Sequence, residues 1–110
     1  MKLKSQKIDD VVVIEIFGRL NAVNVHLLKK KFQKYCPEEN SFVFDLAGLE
    51  YLDSTGLGGI VSCLKTATNN NGDVKIACLQ NKTKMVFEIT RAYKIFDIFE
   101  DVNSAIAAFK

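Results

Sequence analysis

Tryptophan is absent from this chain, and proline, histidine and cysteine are scarce: one Pro, one His and three Cys in 110 residues. A nucleophilic Ser or Cys needs a base within hydrogen-bond reach, and His26 is the only imidazole on offer. It sits among Val25, Leu27 and Leu28 with no flanking catalytic motif. Cys36, Cys63 and Cys78 form no C-x-x-C pair and have no nearby His, so neither a metal site nor a disulfide framework is expected. Cys63 and Cys78 fall inside apolar patterns and read as small buried hydrophobes. Long apolar runs are also missing. Stretches such as "VVVI" are far below the roughly 18 residues that span a membrane. The opening "MKLKSQKIDD" has no apolar core of a secretory signal, and the expected location is the cytoplasm. Finally, no charge sign dominates. Fifteen basic residues face thirteen acidic ones, and a net +2 does not by itself argue for nucleic acid or a membrane as partner.

What is present suits a globular domain. Apolar residues make up 48% and charged residues 25%, and the length fits one domain over residues 1–110. "KLKSQKI", Asp9–Asp10 and "VVVIEIFG" read as two strands joined by a tight turn. Both faces of the second strand are largely apolar, as for an inner strand. Val25, Leu28, Phe32 and Tyr35 recur at helical spacing, with Asn21 or Asn24 as N-cap and Pro37 and Asn40 closing the segment. "SFVFDL" reads as a buried parallel strand and "AGLEYL" as a loop. Leu57, Ile60, Val61, Leu64 and Ala67 mark a second helix, for which Gly72 can take the left-handed conformation of a C-cap. A strand "DVKIACL" follows, then a helix "NKTKMVFEITRA" carrying Met85, Val86 and Ile89 inward, then a strand "KIFDIF". The last helix, "DVNSAIAAFK", has Asp101 as cap and Val102, Ile106 and Phe109 as apolar positions. The expected order is β-β-α-β-α-β-α-β-α, an α/β fold whose sheet is mixed and mostly parallel through right-handed crossovers.

Residues 53–59, "DSTGLGG", gather the chemistry. They lack the G-x-S-x-G spacing of a hydrolase elbow. They also lack the Lys that completes G-x-x-x-x-G-K-[ST], and they do not form G-x-G-x-x-G, so a phosphate-binding loop is not indicated. Gly58 and Gly59 instead fall in the first helical turns, where they allow close packing against the sheet or a partner. Lys29, Lys30, Lys31 and Lys34 read as a solvated helix face, since Phe32 and Tyr35 belong to the apolar stripe and are not free to stack on bases. Two roles remain for the acid and the hydroxyls. Asp53 or Ser54 suits the N-cap of the following helix. Ser54 is also a candidate target of modification, because a helix N-terminus tolerates added negative charge.

The stretch "FVFDLAGLEYLDSTGLGGIVSCL" closely resembles the signature of STAS domains, specifically bacterial anti-sigma factor antagonists. There an apolar strand ends in Asp-Leu, a short loop follows, and Asp-Ser-[Ser/Ala/Thr]-Gly-[Leu/Ile]-Gly opens a helix. Phe44 to Gly58 match this nearly residue for residue, and "VVVIEIFGRLNA" and "YKIFDIFEDVNSAIAAF" are similar to the family's flanking elements. The resemblance implies a mixed sheet with helices mainly on one side, and a binding module that is not an enzyme. It also implies partner switching. The unphosphorylated protein binds an anti-sigma factor that is also a serine kinase, phosphorylation on Ser54 releases it, and a PPM-type serine phosphatase restores binding. The Mg-ATP belongs to the partner kinase, and no cofactor of this chain is implied. By motif position Asp53, Thr55, Gly56, Leu57 and Gly58 would lie in the kinase-facing surface, with Asn21 beside them. Many family members carry Asp where this chain has Asn21, and Thr55 supplies a second hydroxyl next to the acceptor. The alternative within the family is a structural STAS module in which Ser54 is only a cap, such as a stress-signalling scaffold or a subunit of a lipid-transport ATPase.

Overall fold

Val11, Val13 and Glu15 alternate with Val12, Ile14 and Ile16, so a strand through them presents two apolar faces and needs cover on both. The computed structural model, which describes residues 1–110, supplies that cover. β1 (Lys2–Ile8) pairs antiparallel with β2 (Val11–Leu20). Asp9 and Asp10 turn between them with φ of 50° and 66°, the left-handed values of a tight hairpin whose twist matches its strands. Helix α1 (Val25–Gln33) follows, then β3 (Ser41–Asp45), β4 (Leu49–Leu52), α2 (Ser54–Asn69), β5 (Asp73–Ala77), α3 (Asn81–Ile89), a 3₁₀ turn (Ala92–Lys94), β6 (Ile98–Phe99) and α4 (Val102–Ala107). The sheet runs β1-β2-β3-β5-β6, and every pair after the first hairpin is parallel.

Each face of β2 has its own core. Val12, Ile14, Ile16 and Leu20 join Phe42, Phe44, Val74 and Ile76 beneath α1, α2 and α3. Phe32 of α1 sits 4.4 Å from the ring of Phe42 and edge-on to Phe44 at 6.2 Å. Val11, Val13, Val43 and Ala77 face the other way and meet Ala105 and Ile106 of α4. Three helices thus cover one side and a short fourth covers the other. A fully buried side chain of this size contributes about 1.5–3 kcal/mol relative to exposure, so the larger core dominates.

Several expectations change in detail. "AGLEYL" is not all loop. Its last four residues, Leu49–Leu52, are β4, which pairs parallel with Gly18, Arg19 and Leu20 at the far end of β2. The pairing shifts at Gly18–Arg19, and the burial pattern of β4 has Leu49 and Leu52 inside with Glu50 and Tyr51 outside. That pattern has no period of two, so alternation could not reveal it. α1 starts at Val25 after a turn, and Asn24 makes no side-chain bond to cap it. At the end of α2 the left-handed residue is Asn71, φ 63°, not Gly72. The N–H groups of Asn71 and Gly72 reach back to the carbonyls of Thr68 and Ala67, a Schellman closure. Gly72 is required for a different reason, since a Cβ there would lie 1.8 Å from the Asn40 carbonyl oxygen.

α3 buries Thr83 and Phe87, whereas Met85 and Ile89 are exposed and Val86 is half-buried. Two apolar stripes competed on that helix, and Phe87 wins because Phe96 stands 5.8 Å from its ring. "KIFDIF" forms only a two-residue strand, preceded by the 3₁₀ turn. Cys63 is buried as expected, and burial pushes its thiol up to about 12. Cys78 is only half-buried with φ 64°, and burial followed by the nearby Asp45 carboxylate pushes it up to about 11.

Candidate functional site

The site is the junction of β4 with α2. Asp53 stands in extended backbone, φ −100° and ψ 178°, and its Oδ1 accepts from the Gly56 N–H at 2.7 Å. Asp53 is therefore the N-cap. Ser54 is the first helical residue, exposed, and its hydroxyl bonds to no other protein group. The choice left open between Asp53 and Ser54 is resolved in a way that keeps the Ser54 hydroxyl free for chemistry. Thr55 and Gly58 are exposed beside it.

The expected partner-facing residues separate by burial. Ser54, Thr55 and Gly58 reach the surface, and Asp53 and Asn21 are half-buried. Gly56 and Leu57 are buried, Leu57 within the larger core. The three glycines have three different surroundings. A Cβ on Gly56 would stand 2.4 Å from the Leu20 carbonyl oxygen, so this glycine lets α2 meet the end of β2. One on Gly59 would meet Val25 Cγ2 at 2.2 Å, so this glycine lets α1 lie against α2. One on Gly58 would meet nothing within 4 Å. Gly58 has no packing reason inside this chain, and it lies on the open face next to Ser54.

The turn after β2 is held to the same junction by main-chain contact. The Leu20 carbonyl accepts from the Asp53 N–H at 3.4 Å, and Asn21 is the next residue. The Asn21 side chain accepts from the Val23 N–H at 2.9 Å. The Asn24 carboxamide accepts from the Asn21 N–H at 3.0 Å and donates to the Arg19 carbonyl at 2.7 Å. Both asparagines thus order the turn as local side-chain-to-backbone brackets. Sequence reasoning missed the Leu20 carbonyl, because a main-chain acceptor leaves no mark on residue type.

None of the larger surface depressions is lined by Ser54, Thr55 or Gly58. The hydroxyl stands on an open, shallow face with Asp53 as the neighbouring acid. His26 is exposed on α1, and no cluster of His, Cys, Asp or Glu able to hold a metal ion comes together. No helix is long and apolar enough to cross a membrane. Chemically, the arrangement suits a hydroxyl presented to another macromolecule.

Comparison with known proteins gives a consistent picture. A family model described as the STAS domain matches residues 2–105. The putative anti-sigma factor antagonist BtrV of Bordetella bronchiseptica is 30% identical over 111 residues, spanning 100% of this chain and 96% of that protein. A putative anti-sigma factor antagonist of Thermotoga maritima is 30% identical over 101 residues, covering 90% of this chain and 89% of its own length. Among solved structures, a putative anti-sigma factor antagonist from Thermotoga maritima superposes with a TM-score of 0.90 at 27% identity, over 96% of this chain and 92% of that one.

Proposed function

The chain belongs to the STAS domain family, among its anti-sigma factor antagonists, and from that premise we propose that it works by partner switching. In its unphosphorylated form it binds an anti-sigma factor that is also a serine kinase, and the kinase then releases its sigma factor. The kinase transfers the γ-phosphoryl group of Mg-ATP to the Ser54 oxygen: the bond from the γ-phosphorus to the β–γ bridging oxygen breaks, ADP leaves, and the hydroxyl proton passes to a base of the kinase or to solvent. A PPM-type serine phosphatase hydrolyses the ester and restores the binding form. The protein is a regulatory module in this scheme, acting in the cytoplasm, and the kinase and phosphatase supply the chemistry.

One observation carries the reading: Asp53, and not Ser54, caps α2, so the exposed Ser54 hydroxyl is free of structural duty at the motif position of the acceptor. A phosphate there adds roughly −1.5 to −2 charge at neutral pH. It meets the positive end of the helix, so the fold tolerates it, while a partner docked over Ser54 is displaced. Incubation with the cognate kinase and Mg-ATP, followed by mass spectrometry, is expected to find one phosphate on Ser54. Phosphate on Thr55 in its place, or none from a kinase active on a control substrate, would overturn the assignment.

A further inference from the structure

Charge is unevenly distributed over the surface that carries Ser54. Residues 25–34 hold Lys29, Lys30, Lys31 and Lys34, α2 holds Lys65, and neither stretch contains an Asp or Glu. These two segments therefore carry +5 in a chain whose total is +2. That leaves ten basic against thirteen acidic residues elsewhere, a balance of −3. The four ion pairs of the molecule use Lys7, Lys75 and Lys110, so none of the five lysines is neutralised in one.

The two helices pack side by side, with Lys29 at the seam, whereas Lys31, 200° around α1 from it and half-buried, turns away from α2. The Lys29 stem lies over Gly59, 3.8 Å from where a Cβ would be, and lines a crevice with Ser62 and Thr66. It thus sits one residue along α2 from the open Gly58. Lys30 is exposed, a helical step of 100° further toward solvent. At the N-terminal end of α1, Val23 and Leu27 are 81% and 44% exposed. A basic face with uncovered apolar side chains at one end is a docking surface in its composition.

We infer that the α1–α2 face docks a protein partner whose contact surface is acidic around an apolar patch. That partner is the kinase of the proposed function, on which this inference rests. The sign of the charge accounts for release as well as capture. A phosphate on Ser54 lowers the positive potential of the face and stands against the partner's own acidic groups. The exposed apolar pair and the uncharged run Ser54–Gly58 favour a protein over a polyanion, whose contacts are dominated by phosphates met by many cations.

The test measures binding of the purified cognate anti-sigma factor serine kinase to the wild type and to Lys29→Glu/Lys30→Glu, at low and high salt. The expected result is a loss of about tenfold or more at low salt, mainly in association rate, that narrows as salt screens the charges. Lys82→Glu/Lys94→Glu makes the same charge change on α3 and the 3₁₀ turn and is expected to stay within about twofold. Lys29→Gln/Lys30→Gln is expected to fall between wild type and the reversal, which guards against a folding artefact. Unchanged or tighter binding by the α1 reversal, or equal losses at both sites, would overturn the inference while leaving Ser54 as acceptor. So would kinase binding untouched by the reversal alongside lost binding to anionic vesicles or duplex DNA. A wild type that does not bind the kinase at all would overturn the proposed function, and this inference with it.

Discussion

The Asp53 carboxylate accepts from the Gly56 N–H at 2.7 Å, closing the first turn of α2 and leaving the neighbouring Ser54 hydroxyl unused by the fold. Stability and modification are thus assigned to adjacent side chains. Asp53→Ala is expected to destabilise the protein by about 1 kcal/mol, with Asp53→Asn recovering most of it. Ser54→Ala is expected to stay within about 0.5 kcal/mol of wild type. Urea denaturation of the three variants decides, and a larger loss at Ser54 than at Asp53 would reverse the assignment of the cap.

Binding should rank the same position differently. Ser54→Ala keeps the surface uncharged and is expected to hold the kinase with affinity near that of the unmodified protein. Ser54→Asp brings a second carboxylate beside Asp53 and is expected to weaken the complex, by less than a phosphate does because it carries about one charge and not nearly two. Calorimetric titration of both variants checks this. Equal affinities would rule out electrostatic release.

The glycines separate packing from docking. Gly56→Ala drives a Cβ to 2.4 Å from the Leu20 carbonyl oxygen, against backbone that cannot swing away, and is expected to cost about 1–3 kcal/mol. Gly58→Ala meets nothing within 4 Å and removes a flexible residue from a helix, so a gain of about 0.5–1 kcal/mol is expected. If the partner approaches the backbone at Gly58, the same change weakens binding. A variant that is more stable yet binds less well would identify Gly58 as part of the interface. Unchanged affinity would place the partner elsewhere.

Lys75 predicts an alkaline limit to stability. It is 7% exposed, bonded to Asp97 at 2.8 Å and Asp73 at 3.0 Å, with Phe109 stacked at 4.7 Å. Burial pulls its pKa down, but the hydrogen bonds and charges of Asp97 and Asp73 carry it above the usual 10.5. A folded value above the unfolded one means that the contribution is complete below the unfolded pKa. It is then lost as pH rises through the folded one. Stability measured by denaturant from pH 8 upward is expected to fall beyond about pH 10.5, the unfolded value, in wild type. Lys75→Met, which fills the same space without titrating, is expected to lack that component of the fall. Parallel curves would show that Lys75 does not set the limit.

Residue type and spacing were enough to locate four helices, the first hairpin, three further strands of the sheet and the D-S-T-G motif, because each announces itself locally. Asp9–Asp10 is turn chemistry, Val11 to Ile16 alternates, Asp101 caps, and Leu57 to Ala67 repeats at helical period. The resemblance carried by Phe44 to Gly58 then pointed to the family. What it could not resolve were choices settled by contacts distant in the chain. β4 exists because Leu49 and Leu52 find the end of β2, a partner some thirty residues earlier that leaves no period behind. Phe87 faces inward, and Met85 and Ile89 do not, because Phe96 waits on one side of α3. Asp53 and Ser54 are equivalent caps on paper, and only backbone geometry gives the bond to Asp53 and leaves Ser54 free. Gly56, Gly58 and Gly59 are alike as letters, yet a carbonyl, open solvent and a valine methyl stand above them. The lysines of α1 are the largely solvated face that residue type indicates, and only the packing at Gly59 brings the Lys29 stem against α2. Local propensity is written along the chain, but which face of each element meets what is decided by packing.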